Sequence, residues 1–206
     1  MSLLRSLAES IAARAASLGL AICLSACGTA PQLSSGGQLQ PPPGKAYGLM
    51  AITFDSWDKD TANVSVVLQG PDGAHEYFAQ VMTDFIRGPG DMPDSTGKLH
   101  LITLTPGHYV APAVWARWSD GSDTVMFNHH VERIPLNQQF DVTAGQVLYL
   151  GDVHAQLNYR PSVKVSDQSP RDLNHVKVIW KVPDTRNIEL LPMQPIIVPA
   201  TAAHVQ

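Results

Sequence analysis

Eight histidines, a short acidic run and two cysteines are the residues here whose types could do chemistry. His129 and His130 are adjacent, so on a strand they point to opposite faces. At most one of them can join a given site with His100, His108 or His154. A three-histidine metal site would need those scattered positions to converge, and the spacing favours separate strand-end histidines. The run DSWDKD places Asp55, Asp58 and Asp60 within six residues after a strand-like segment. Carboxylates in a loop can ligate calcium, but the D-x-[DN]-x-[DN]-G register is missing and no bidentate glutamate stands at the right distance. Trp57 sits inside this run, where an exposed ring beside carboxylates would contact a partner or a glycan, and a packed ring would anchor the loop. Trp57, Asp55, Asp58 and Asp60 are therefore the candidate partner-contact residues. No G-x-S-x-G, no S-x-x-K at a strand–helix junction and no glycine-rich phosphate loop occurs. The expectation is a protein with no catalytic residues, no metal and no cofactor. The rival is an enzyme or metal-binding protein built on the histidines.

Cys23 and Cys27 are the only cysteines of the chain. A C-x₃-C pair could be half a zinc site, but no second ligand cluster follows at the needed spacing. A disulfide across four residues of an apolar run would constrain almost nothing. The flanks offer a third use. Arg5 and Arg14 precede an apolar run from Ala15 to Leu24, which has the length of a signal-peptide core and is too short to cross a bilayer needing about 20 residues.

Leu24-Ser25-Ala26-Cys27 closes that run and resembles the bacterial lipobox. The resemblance implies cleavage before Cys27, a diacylglyceryl thioether on its sulfur and an acyl group on the new amine. Cys23 leaves with the discarded peptide. One acyl chain binds a membrane only marginally, with about 0.8 kcal/mol from each buried CH₂, so three chains anchor essentially permanently. Gly28 follows where the enteric sorting rule would place aspartate for inner-membrane retention, which points to the periplasmic face of the outer membrane.

Cleavage there leaves 206 − 26 = 180 residues, with 14 − 2 = 12 basic and 18 − 1 = 17 acidic side chains. That length suffices for one domain with its own core. The acidic balance and the lack of a Lys/Arg stripe exclude nucleic acid as a partner. With Cys27 lipidated no free thiol remains, so the fold has to stand on its core. The partners expected are the membrane, through the anchor, and a protein or polymer of the cell envelope.

Residues 27–46 carry Gly, Ser, Pro and Gln with one charge, the composition of a spacer spanning roughly 25 Å as a coil. Beyond it the texture is that of short strands and turns. YGLMAITF at 47–54 reads as a strand, and ANVSVVLQ at 62–69 alternates, with Ala62, Val64, Val66 and Leu68 on one face. A hairpin over 62–82, a long loop over 84–98 and strands at 99–104 and 108–118 follow. Trp115 and Trp118 lie three apart on the last of these, so one faces the core and one faces outward. Further strands are expected at 125–128, 138–143, 146–157, 159–166 and 175–182, with Trp180 in the core beside Val176, Val178 and Val182. One helical turn fits 167–174, and the proline-rich tail 183–206 reads as extended or disordered.

Eight or nine strands with turn signals every 8–12 residues imply an all-β fold, a single antiparallel β-sandwich over 47–182 after a signal peptide at 1–26. LHLITLTPGHYVAPAVWARW resembles the strand–L-x-P-G-x-Y–strand element of prealbumin-like sandwiches found in carboxypeptidase regulatory domains. FDVTAGQVLYLGDV resembles the strand–A-G-Q–strand element of small bacterial lipoproteins with such a fold. These resemblances imply a prealbumin-like or Ig-like type. The function expected is non-catalytic binding or scaffolding in the cell envelope, with accessory service in a secretion or envelope machine as a further alternative.

Overall fold

The computed structural model describes residues 31–90, 93–119 and 129–197. Cys23 and Cys27 lie outside the described residues, as do most of the turn expected at 119–122 and the strand expected at 125–128. The chain is mostly β, with two sheets packed on each other.

The first sheet is built around β1 (Ala46–Asp55). β1 pairs antiparallel with β5 (Pro93–Leu104) and parallel with β8 (Val147–Gln156). β4 (Phe85–Arg87) extends the sheet beyond β5. β8 carries β9 (Ser162–Ser166) and the two-residue β10 (Glu189–Leu190) on its other side. The second sheet runs β11 (Gln194–Pro195), β7 (His129–Val142), β6 (Gly107–Ser119), β2 (Asn63–Gly70) and β3 (Gly73–Gln80). The connections β1–β2, β5–β6 and β7–β8 each cross from one sheet to the other. The purely antiparallel sandwich expected from the sequence is corrected by β8, which runs parallel to β1 and β10 and makes the first sheet mixed.

β1 is apolar along nearly its whole length because both its faces are covered. Met50, Ile52 and Phe54 face the second sheet and join Val64, Val66, Leu68, Leu148 and Leu150 in the main core. Leu49 and Ala51 face the opposite way, into a smaller core with Tyr149, Val176, Val182 and Ile188. The second sheet keeps its outer face in solvent, so β6 alternates: Trp118 is buried and Trp115 exposed.

Helix α1 (Ser169–Val178) covers the outer face of the first sheet. It corrects the strand expected at 175–182. Pro170 pre-sets the first turn, Asp172 complements its N-terminal dipole, and Lys177 complements the last turn. The helix buries Ser169, Arg171, Asp172, His175 and Val176, a face spaced at three and four residues. Most of that face is polar, so no apolar helical period is visible in the sequence. The alternation from Val176 to Val182 is real but spans the helix end. The chain then turns at Lys181 (φ 58°), and the Val182 N–H donates to the Val176 carbonyl. Trp180 is half-buried there, edge to face with His175, rather than a core strand residue.

Three further expectations change. The loop expected over 84–98 supplies β4 and the first half of β5. Spacer residues from Pro31 onward dock onto the domain: Leu39 is buried, Leu33 bridges it, and Gln38 donates to Asp184. The tail from Pro183 buries Ile188 and Met193, then pairs with β8 and β7 in turn, strapping the two sheets together.

Candidate functional site

Two constellations gather polar and aromatic side chains, one buried and one open. The buried one lies between α1 and the first sheet. A β-bulge makes it: between Leu49 and Ala51 of β1 the partner register advances from Tyr149 to Asp152. Gly151 supplies the left-handed backbone (φ 95°) that the extra residue needs. Tyr149 and Asp152, three apart, thereby share the outer face. The Tyr149 hydroxyl donates to Asp172 Oδ2 at 2.6 Å and accepts the Gln168 N–H at 3.1 Å. Arg171 donates from Nε to Asp172 Oδ1 at 2.8 Å and from Nη1 to Ser95 Oγ at 3.0 Å. Its Nη2 lies 3.4 Å from Asp152 Oδ2, an ion pair without hydrogen-bond geometry. Thr53 donates to Asp152 at 2.8 Å, and His154 Nδ1 lies 3.0 Å from the same hydroxyl. His154 Nε2 reaches Asp55 at 3.4 Å.

Burial pushes the Tyr149 hydroxyl well above its ordinary range, and the Asp172 charge adds to it, so the phenol stays a donor. Burial likewise raises Asp172, against the opposing pull of Arg171 and Tyr149. The Thr53 hydroxyl within this chain of contacts is buried, and the outer end of these contacts, at Asp55, reaches solvent. Its geometry clamps α1 onto the sheet.

The open constellation lies at the end of the sandwich where β1, β6 and β8 finish and β7 and β9 begin. There Trp57, Trp118, His130, Glu132, Asn158 and Tyr159 line a cleft of about 350 Å³. Trp57 is 60% exposed and Tyr159 is 90% exposed. Their rings meet edge to face, with centroids 4.5 Å apart and planes at 78°. Trp118 and His130 stack behind them at 5.2 Å. The Trp57 N–H donates to Asn158 Oδ1 at 2.7 Å, fixing the two loops against each other. Tyr159 sits at φ 62°, a region a bulky side chain rarely adopts and one that clusters at ligand clamps. A depression of about 440 Å³ also lies on the open face of the second sheet beside Trp115, and one of about 370 Å³ beside Pro89 and α1. Neither brings two exposed rings together.

The three candidate carboxylates do not converge. Asp58 accepts the N–H groups of Asp60, Thr61 and Ser119 and the Thr61 hydroxyl. Burial opposes its charge, but these donors outweigh burial and hold its pKa at about 2. Asp58 therefore fastens the loop to the end of β6. Asp55 faces His154 and Gln156, and Asp60 is exposed. The histidines disperse too. His100 contacts the Phe78 carbonyl, His108 pairs with Asp141, His130 stacks on Trp118, and His175 accepts the Arg87 N–H. Among the described residues, no three His, Cys, Asp or Glu side chains are grouped to hold a metal.

Of the predicted contact residues, then, Trp57 alone lines the cleft. Sequence reasoning missed Tyr159, which falls inside the strand expected at 159–166, whereas β9 starts only at Ser162. Asn158 and Pro161 around it were the available signal, since both favour turns. Of Trp115 and Trp118, one of which was expected to face the core, Trp118 is the buried one, and it also forms the back of the cleft. Comparison of the chain with protein families, curated proteins and solved structures returns no match.

Proposed function

We propose that this chain is a lipoprotein held at the periplasmic face of the outer membrane through Cys27, and that its sandwich is a non-catalytic binding module of the cell envelope. The open aromatic cleft carries the reading of the module: two large rings are held in solvent by a loop clamp and a left-handed backbone. The lipobox-like Leu24-Ser25-Ala26-Cys27 supports the anchor. The two crossing connections that resemble prealbumin-like elements, Thr105–Gly107 and Thr143–Gln146, support that type of sandwich.

Metabolic labelling with a palmitate analogue tests the anchor. Wild type and Cys23→Ala should label, whereas Cys27→Ala should stay unlabelled and accumulate as a longer precursor. Persistent labelling of Cys27→Ala refutes it. The module is tested by a photo-reactive p-benzoylphenylalanine at position 159 in intact envelopes, with the same probe at Val131 as the comparison. A crosslink specific to position 159 supports the module, and no crosslink there together with no ligand that depends on Trp57 and Tyr159 refutes it.

A further inference from the structure

We infer that the cleft at Trp57 and Tyr159 binds an uncharged saccharide, a conclusion that rests on the binding-module reading and narrows it to a ligand class. The two rings form a right-angled corner open to solvent. A pyranose presents one face of C–H groups and a perimeter of hydroxyls, so it covers an exposed ring with its apolar face while its edge stays polar. Such a ligand needs both donors and acceptors around the rings. The Glu132 carboxylate accepts, and the Asn158 amide nitrogen donates, since its amide oxygen is already occupied by the Trp57 N–H.

Charge narrows the class. No lysine or arginine is among the described lining residues, and the one carboxylate there is Glu132. An anionic sugar would meet like charge with no compensating cation. The size agrees with one or two rings, because about 350 Å³ lies at the lower end of the ~300–1,000 Å³ of small-ligand sites. Rigidity agrees as well. Trp57 is tied to Asn158, and Asp58 ties the same loop to β6, so little ordering is lost on binding.

Isothermal calorimetry on the full chain in a sugar-free detergent tests this, with N,N′-diacetylchitobiose and cellobiose as neutral probes and digalacturonate as the anionic one. At least one neutral disaccharide should bind, with digalacturonate about tenfold or more weaker. Trp57→Ala and Tyr159→Ala should each weaken binding about tenfold, the scale of one lost aromatic contact. Trp115→Ala, at an exposed tryptophan on the open sheet face, should leave affinity unchanged. Both substituted rings are exposed, so unchanged circular dichroism is expected. Binding that survives the Trp57→Ala/Tyr159→Ala double variant overturns the site, and preference for digalacturonate overturns the charge argument. The photo-reactive probe at position 159 separates the two levels of failure. No disaccharide binding with a protein crosslinked at 159 overturns the saccharide and leaves the module. No binding and no crosslink overturns both.

Discussion

Arg171→Met removes a buried cation from the contacts that join α1 to the first sheet. Arg171 lies between Asp172 and Asp152, which are 0% and 2% exposed. Removing one partner of a buried ion pair costs about 3–5 kcal/mol, because the remaining charge is desolvated without compensation. That is a large part of the ~5–15 kcal/mol that holds a domain together. With a urea slope of about 2 kcal/mol/M, the midpoint should fall by roughly 1.5–2.5 M. The loss should also depend on pH. Burial already raises Asp172 in the folded protein, and without Arg171 the main force opposing that rise disappears. The folded variant then takes up a proton more readily than the unfolded chain, so its stability gains as pH falls. The gap from wild type should be wider at pH 8 than at pH 5. Arg171→Met/Asp172→Leu, which removes both charges of the closer pair and leaves Asp152 with its Thr53 hydrogen bond, should recover part of the loss. Urea melts followed by tryptophan fluorescence measure all three proteins. A single-variant loss below about 1 kcal/mol, in the range of an exposed pair, or a double variant worse than the single, would refute the buried-clamp reasoning.

Acid should loosen the same region through His175. Its Nδ1 accepts the Arg87 N–H at 3.0 Å, and burial, helped by the Arg87 and Arg171 charges, lowers its pKa. This contribution is full above the unfolded value of about 6.5 and is lost as pH falls toward the lower folded value. His100 acts in the same direction, because burial and then Lys98 lower it to about 4. Equal urea midpoints at pH 7.5 and 5 would contradict both. Gly97→Ala should prevent normal β1–β5 pairing, since a Cβ there would meet the Ile52 carbonyl oxygen at 2.2 Å, and a wild-type melting temperature would disprove the register. Met193→Ala should cost about 2–5 kcal/mol, because the tail buries this side chain in the main core, and a neutral result would mean the strap is not docked. EDTA should leave the melting temperature unchanged. A structural zinc would contribute on the order of 10 kcal/mol, so a fall of about 10 °C or more with stoichiometric metal would return the histidines to consideration.

Elements whose signal is local were legible. β2 shows its alternation because Val64, Val66 and Leu68 all enter one core. Trp115 and Trp118 follow from parity on one strand, and Thr105–Gly107 and Ala144–Gly145 from turn chemistry. α1 was legible only as the one helical turn fitted to 167–174; its continuation to Val178 was not, because its buried face is made of Arg171, Asp172 and His175, which read as solvent-facing until their partners on β5, β8 and β4 are known. β10 and β11 are two residues long and exist only through pairing with β8 and β7. The prolines of this tail fit an extended and a disordered chain equally.

The sequence by itself determined that the chain is mostly β, where its main turns fall, and that one tryptophan sits among three carboxylates. Those features depend on dihedral preferences and on side-chain parity within a few residues. Tertiary structure decided the rest. It brought Tyr159 and Trp118 to Trp57 from about 100 and 60 residues away, turned Asp58 inward as a loop clamp, and buried Arg171 between two aspartates. Each of these depends on strand order, and the Arg171 site also on the bulge at Gly151, which pairing between distant segments sets and local sequence does not.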